Sequence, residues 1–216
     1  MARQKDRRLA VFVSGRGSNF RAIQEAIEAG AIPAQVVLVV THDPSCGAAG
    51  YARELGIELL RYPAPGAGPA DLAEALGAAR IDYALLAGYL KRVPEEVVRA
   101  YRRRMLNIHP ALLPRYGGPG FYGRRVHEAV LASGDASSGP SVHFVDEEYD
   151  HGPILAQATV PVLAGDTPES LAARVLQQEH QLYPAAVAAL CRGEVVWSAA
   201  GQPALKTAGR LQIAPD

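Results

Sequence analysis

In Asn107-Ile108-His109-Pro110 an amide and an imidazole stand two positions apart, in a run that reads as a β-strand. Side chains alternate along a strand, so Asn107 and His109 share one face and Ile108 takes the other. Pro110 closes the run at its carboxyl end, where ligands bind in open parallel sheets. An amide that can donate to a carbonyl oxygen, beside an imidazole that can move a proton, is the equipment of acyl transfer. A buried polar pair capping a loop would show the same residues.

Three other segments could serve such chemistry. Asp146-Glu147-Glu148-Tyr149-Asp150-His151-Gly152-Pro153 is acidic, and most of it reads as a solvated turn. One of its carboxylates, such as Asp150, could fold back onto His109, orient it and raise its pKa above the ordinary value of about 6.5. Ser14-Gly15-Arg16-Gly17-Ser18-Asn19 lies between a strand and a helix, where free backbone amides suit a phosphate. It lacks the third glycine of a dinucleotide fingerprint, because position 20 is Phe20, and no Walker Gly-Lys-Ser/Thr is present. An ordinary turn capped by Ser18 or Asn19 fits the same spacing. Tyr116-Gly117-Gly118-Pro119-Gly120-Phe121-Tyr122-Gly123 reads as a mobile connector or a lid. His42, His143 and His180 read as packing or surface histidines, and with Cys46 they make no metal spacing. Arg102-Arg103-Arg104 reads as a solvated helix end.

The elements that must position these residues alternate. Residues 9–13, 36–40, 57–60, 83–87 and 105–109 read as buried strands. Helices fall between them. Phe20, Ile23 and Ile27 stripe the first, which stops at Gly30; others cover 48–55 and 71–79, and one opens at Pro94-Glu95-Glu96. Breakers crowd residues 63–69. Such alternation means a parallel sheet with both faces covered. Residues 141–146 and 154–162 then read as an antiparallel pair. Thr167-Pro168-Glu169 opens a long final helix to about Cys191, and the segment after Trp197 reads as a weakly patterned surface tail. The expected fold is α/β: a doubly wound, mainly parallel Rossmann-like sheet, extended by an antiparallel strand pair and ending in a long helix. The expected organisation is a single domain, 1–216. Its first half, about 1–100, binds phosphate; its second, about 101–200, carries the catalysis.

Composition narrows the function. With 22 Lys+Arg against 22 Asp+Glu, the chain lacks the basic surface of an extended nucleic-acid footprint. Cys46 and Cys191 are far apart, so a disulfide framework is not expected. The basic start, residues 1–8, leads into an apolar run too short for a secretory signal, and no run approaches a membrane span. A cytoplasmic protein, free of membrane and nucleic acid, is the expectation.

With these residues in place, the chain resembles the phosphoribosylglycinamide formyltransferase family, folate-dependent enzymes of purine synthesis, from about residue 9 to about residue 190. Six stretches carry the likeness. They are Ser14-Gly15-Arg16-Gly17-Ser18-Asn19, Leu86-Ala87-Gly88-Tyr89-Leu90, Leu106-Asn107-Ile108-His109-Pro110-Ala111-Leu112-Leu113-Pro114, Gly139-Pro140-Ser141-Val142-His143-Phe144-Val145-Asp146, Asp150-His151-Gly152-Pro153-Ile154 and Gln178-Glu179-His180. The resemblance implies that Asn107, His109 and Asp150 are catalytic. It implies that Gly17, Ser18, Asn19 and Glu179 bind glycinamide ribonucleotide. It implies that Leu90, Lys91, Arg92 and Val93, with Asn107, Val145 and Asp146, bind the co-substrate 10-formyltetrahydrofolate. No metal and no covalent intermediate is implied, and the chain would act as a monomer or homodimer. In the implied reaction, Asn107 and protonated His109 donate to the formyl oxygen. Where the family often has a histidine just before His127, this chain has Arg124 and Arg125. The 63–69 loop lacks a clear match to a folate-side arginine of some members. Methionyl-tRNA formyltransferase and formyltetrahydrofolate hydrolase share the catalytic block; each normally carries a further domain, for which 216 residues leave no room. A non-catalytic nucleotide-binding protein on the same sheet is the third reading.

Overall fold

Strand β1, Arg7–Val13, is the centre of a five-stranded parallel sheet, because residues 9–13 are apolar on both faces and wholly buried. The computed structural model describes residues 6–206. The basic start expected over 1–8 lies outside them as far as residue 5. The chain forms two compact units that divide within one strand, between Asn107 and Ile108.

In the first unit β2 (Ala34–Thr41) pairs with β1, and β3 (Glu58–Arg61) with β2. The chain then crosses to the other side of β1, where β4 (Tyr83–Leu86) pairs with it and β5 (Met105–His109) pairs with β4. The order β3-β2-β1-β4-β5 therefore reverses at β1/β4. At such a switch point, connections leave neighbouring strands in opposite directions and open a crevice at their carboxyl ends. Helices α1 (Ser18–Glu28), α2 (Gly47–Glu54), α3 (Pro69–Ala78) and α4 (Glu95–Ala100) make the crossovers. Phe20 and Ile23 of α1, and Leu72 and Leu76 of α3, are fully buried. Pro69, read as part of the breaker loop, instead opens α3; Gly68 N–H donates to Asp71 at 2.6 Å and fixes that start.

In the second unit α5 (Arg124–Ser133) precedes β6 (Ser137–Ser138), β7 (Ser141–Phe144), β8 (Ile154–Gln157) and β9 (Val160–Pro161). The antiparallel pair is present as β7 with β8. The run read as one strand over 154–162 is two, because β9 leaves β8 to pair with β6. Helix α6 (Pro168–Cys191) keeps the expected start and end. Thr167 Oγ accepts from Ser170 N–H at 3.2 Å, and Ser170 Oγ accepts from Thr167 N–H at 2.9 Å. Val130, Val160, Leu171 and Val175 join α5, β9 and α6 in one core. The tail is not a plain surface segment throughout. β10 (Val195–Trp197) and β11 (Pro203–Leu205) form a hairpin, and Trp197 packs on Phe144 with ring centroids 4.7 Å apart. The rest of that tail, 207–216, lies outside the described residues. No helix among the described residues is long and apolar enough to cross a membrane.

Candidate active site

The first group of site residues grows out of the end of β1. Gly17 sits at the start of α1 with φ 78°, and no side chain caps the helix there. Ser18 is already helical and Asn19 is buried, so neither acts as the cap that the ordinary-turn reading required. A helix start without a side-chain cap suits an anion. The glycine is required twice over. Its φ lies in the left-handed region, and a Cβ would come 2.6 Å from the Cβ of Ala48. Gly17→Ala should therefore destabilise the protein by about 1–3 kcal/mol. It should also raise the KM for a phosphorylated substrate; thermal melts and substrate titrations check the two effects.

The second group follows β4. Gly88, with φ 77°, turns the chain. Tyr89 O–H then donates to the Tyr62 carbonyl at 2.7 Å, and its ring meets Phe12 edge-on. Leu90 is 56% exposed, Lys91 and Arg92 are exposed, and Val93 is buried. Arg92 pairs with Glu95 at 3.0 Å.

The third group lies at the end of β5, where Asn107 is half-buried and His109 buried. In the second unit His109 meets Asp150: Nδ1 is 3.4 Å from Oδ2, with side chains 5% and 11% exposed. Nε2 of His109 is 2.8 Å from the Tyr116 carbonyl. A carbonyl can only accept, so Nε2 carries the proton in that contact. The neutral ring then turns a lone pair toward Asp150, and only the imidazolium satisfies both oxygens. Tyr116 and Asp150 have φ 57° and 52°, values rare for residues other than glycine. Such strain gathers at functional positions, and here both strained residues present an acceptor to His109. Gly118 N–H donates to Asp150 Oδ2 at 3.0 Å. The glycine segment after Tyr116 is therefore tied to the carboxylate at its first turn, rather than being a plain connector. Gly152 lets the following chain pass, since a Cβ there would fall 1.9 Å from the Phe144 carbonyl oxygen.

Burial pushes the His109 pKa down, and a neighbouring His143 adds to that; Asp150 and the Tyr116 carbonyl push it up and lose. The net shift is downward, against the upward shift expected from a paired carboxylate alone, because the cost of charging a buried ring exceeds the gain from one partner. Burial raises Asp150, but His143, His109 and Gly118 N–H together outweigh it and hold the carboxyl below its usual range.

Two buried histidines escaped the reading of the sequence. His143, taken as packing or surface, has Nε2 3.6 Å from Asp150 Oδ1 and Nδ1 3.0 Å from the Phe144 carbonyl. One signal was available: polar Ser141 and His143 stand two positions apart, on one face of a strand whose other residues are apolar. His127 is buried on α5, a helix the breaker-rich run before it concealed. Burial lowers its pKa and His109 lowers it further. Arg124 does not stand free where the missing histidine would be; it pairs with Glu128 and Glu169. Arg125 lies over the Tyr122 ring. Asp146 bonds His151 at 2.8 Å beside half-buried Val145. Glu179 is buried on α6. Among the described residues no group of three His, Cys, Asp or Glu could hold a metal ion.

Comparison with known proteins places these residues in context. The family described as formyl transferase matches residues 7–187. Phosphoribosylglycinamide formyltransferase, chloroplastic, of Vigna unguiculata is 52% identical over 206 residues. That alignment takes in 93% of this chain, which spans 66% of that longer protein. The Escherichia coli phosphoribosylglycinamide formyltransferase is 35% identical over 192 residues, covering 87% of this chain and 88% of that one. The crystal structure of phosphoribosylglycinamide formyltransferase from Anaplasma phagocytophilum superposes with a TM-score of 0.87 at 30% identity, over 95% of this chain and 96% of that one.

Proposed function

The chain belongs to the formyl transferase family, and from that premise we propose that it moves a formyl group from 10-formyltetrahydrofolate to the amine of glycinamide ribonucleotide, in purine synthesis. The observation that carries the reading is the buried His109–Asp150 pair at the carboxyl end of β5. The uncapped start of α1 supports a single phosphate monoester at Gly17, Ser18 and Asn19. Buried Glu179 would contact the same substrate. An exposed Leu90 next to buried Val93, at a strand's carboxyl end, suits the flat face of a folate ring. The folate supplies the activated formyl group. Lys91 and Arg92 lie between Leu90 and Val93 in sequence and would add to the hold, and the family resemblance assigns Val145 and Asp146 to the same ligand. Division of labour follows the chain: the first unit carries the phosphate loop, and the second the proton chemistry.

His109 enters the reaction neutral, because burial keeps it so. For that its proton must sit on Nδ1, toward Asp150, and Nε2 must leave the Tyr116 carbonyl; Nε2 then takes the proton of the attacking amine, and Asp150 holds the resulting imidazolium. In that form it donates toward the oxygen where negative charge gathers. Asn107, two positions before it on β5, offers a second donor. His109 then returns the proton to the leaving nitrogen. The thiols of Cys46 and Cys191 fit a reducing compartment such as the cytoplasm.

A spectroscopic assay of folate product, run with the ribonucleotide supplied or withheld, tests the reading. Turnover only with the ribonucleotide is expected. Turnover without it selects a hydrolase, and binding of the ribonucleotide with no turnover selects a non-catalytic protein.

A further inference from the structure

At the switch point between β1 and β4, one hydroxyl joins the ends of three strands. Leu90 N–H, after β4, donates to Ser14 Oγ, after β1, at 2.9 Å. The same oxygen lies 3.2 Å from Nδ1 of His42, after β2. A backbone amide can only donate, so Ser14 Oγ accepts from Leu90; toward His42 Nδ1 it donates or accepts according to the ring's tautomer. In either case the bond to His42 holds the Ser14 oxygen in place for the Leu90 amide.

We propose that Ser14, oriented by His42, is a positioning residue for the folate-side turn, although it belongs by sequence to the phosphate loop. The proposal rests on the formyl-transfer reading, in which Leu90 and Val93 hold the folate. Three observations support it. Leu90 is more than half exposed, so packing does not hold its peptide in place. The residue before it has anchors of its own, the Tyr62 carbonyl and the Phe12 ring, so the Ser14 bond sets the Leu90 peptide in particular. The chain beyond, Lys91 and Arg92, runs exposed until Val93 is buried. The bond also spans the crevice where the strand order reverses, so a small shift of Leu90 changes the lip of a ligand site.

The test uses the full chain and three proteins: wild type, Ser14→Ala and Ser14→Thr. Amide hydrogen exchange at Leu90 reads the bond. Fluorescence titration with a 5,8-dideazafolate reads folate affinity, and the KM of each substrate is measured separately. Ser14→Ala should speed exchange at Leu90, weaken the dideazafolate about 3- to 10-fold, and raise the folate KM alike. The ribonucleotide KM should change less than about twofold, and Ser14→Thr should restore all of these values. His42→Asn, whose amide can accept or donate near the Nδ1 position, should bind the analogue nearly as wild type does; His42→Leu should not. Unchanged Leu90 exchange in Ser14→Ala overturns the proposal. So does a ribonucleotide KM that rises with or instead of the folate KM. The two readings fail separately. Wild-type protein that binds the analogue in a Ser14-dependent way without transferring formyl upholds the proposal and sinks the activity. Normal turnover with Ser14-independent folate binding does the reverse.

Discussion

His109→Ala should lower turnover by about 10²–10⁴-fold, the usual worth of a positioned acid–base group, in a protein that still folds. The ring is buried, and its removal leaves the Tyr116 carbonyl and the Asp150 carboxylate short of a partner. A stability loss of about 1–3 kcal/mol is the expected cost. That is a fraction of the stability of an ordinary domain, so circular dichroism should report native secondary structure. His109→Gln guards against a folding failure: its amide can replace Nε2–H toward Tyr116 yet cannot move a proton. If either folded variant keeps turnover within tenfold of wild type, the imidazole is not the group that moves the proton.

The pH profile of wild type follows from the same burial. With its pKa pushed below the ordinary 6.5, His109 is neutral and competent as a base at pH 7. The kcat/KM should be flat near neutrality and fall on the acid side with a midpoint below 6.5. Stability moves the same way. In the unfolded chain the ring takes up a proton near pH 6.5, which the fold resists, so this contribution is present above that value and lost as pH falls toward the folded pKa.

Much of this was legible before the fold was seen, and the reasons are local. The strand ending at His109 is bounded by its own proline. Thr167 and Pro168 announce α6 by their capping chemistry. Gly17 marks a turn that only glycine can make. What the chain hid depends on partners distant in sequence. Nothing in Asp146–Asp150 distinguishes the carboxylate that turns inward; Asp150 does so because its left-handed backbone and the Gly118 amide aim it, 32 positions away. The sign of the His109 shift was missed because spacing announces a charged partner but not the desolvation that outweighs it. Ser14 was read only as part of the phosphate loop and His42 only as a packing or surface residue for the same reason: the bonds of Ser14 to His42 and Leu90 exist only once β1, β2 and β4 lie side by side.

Asp150→Asn should cost about 10²–10³-fold in turnover, within the range of lost acid–base help, and should leave both KM values close to wild type. The substitution keeps shape and leaves an amide oxygen to accept from Gly118 N–H, so the loop tie survives and the lost charge is what the assay reads. Without the carboxylate, the one opposing charge that lifts His109 is gone, and burial lowers its pKa further. The ring then holds a proton poorly at the moment it must carry one. The acid limb of kcat/KM should accordingly move to lower pH as its plateau falls. Stability gives an independent check. Asp150 titrates below its ordinary 3.8 in the fold, so its contribution is present above that value and disappears as pH falls through the folded pKa. Asparagine has no such titration, and melts between pH 5 and 2 should lose less stability in the variant than in wild type. An acid limb that coincides with wild type would separate Asp150 from His109 electrically, whatever happens to the rate. Asp150→Ala removes the Gly118 acceptor as well, so any loss beyond that of Asp150→Asn measures the loop tie and not the charge.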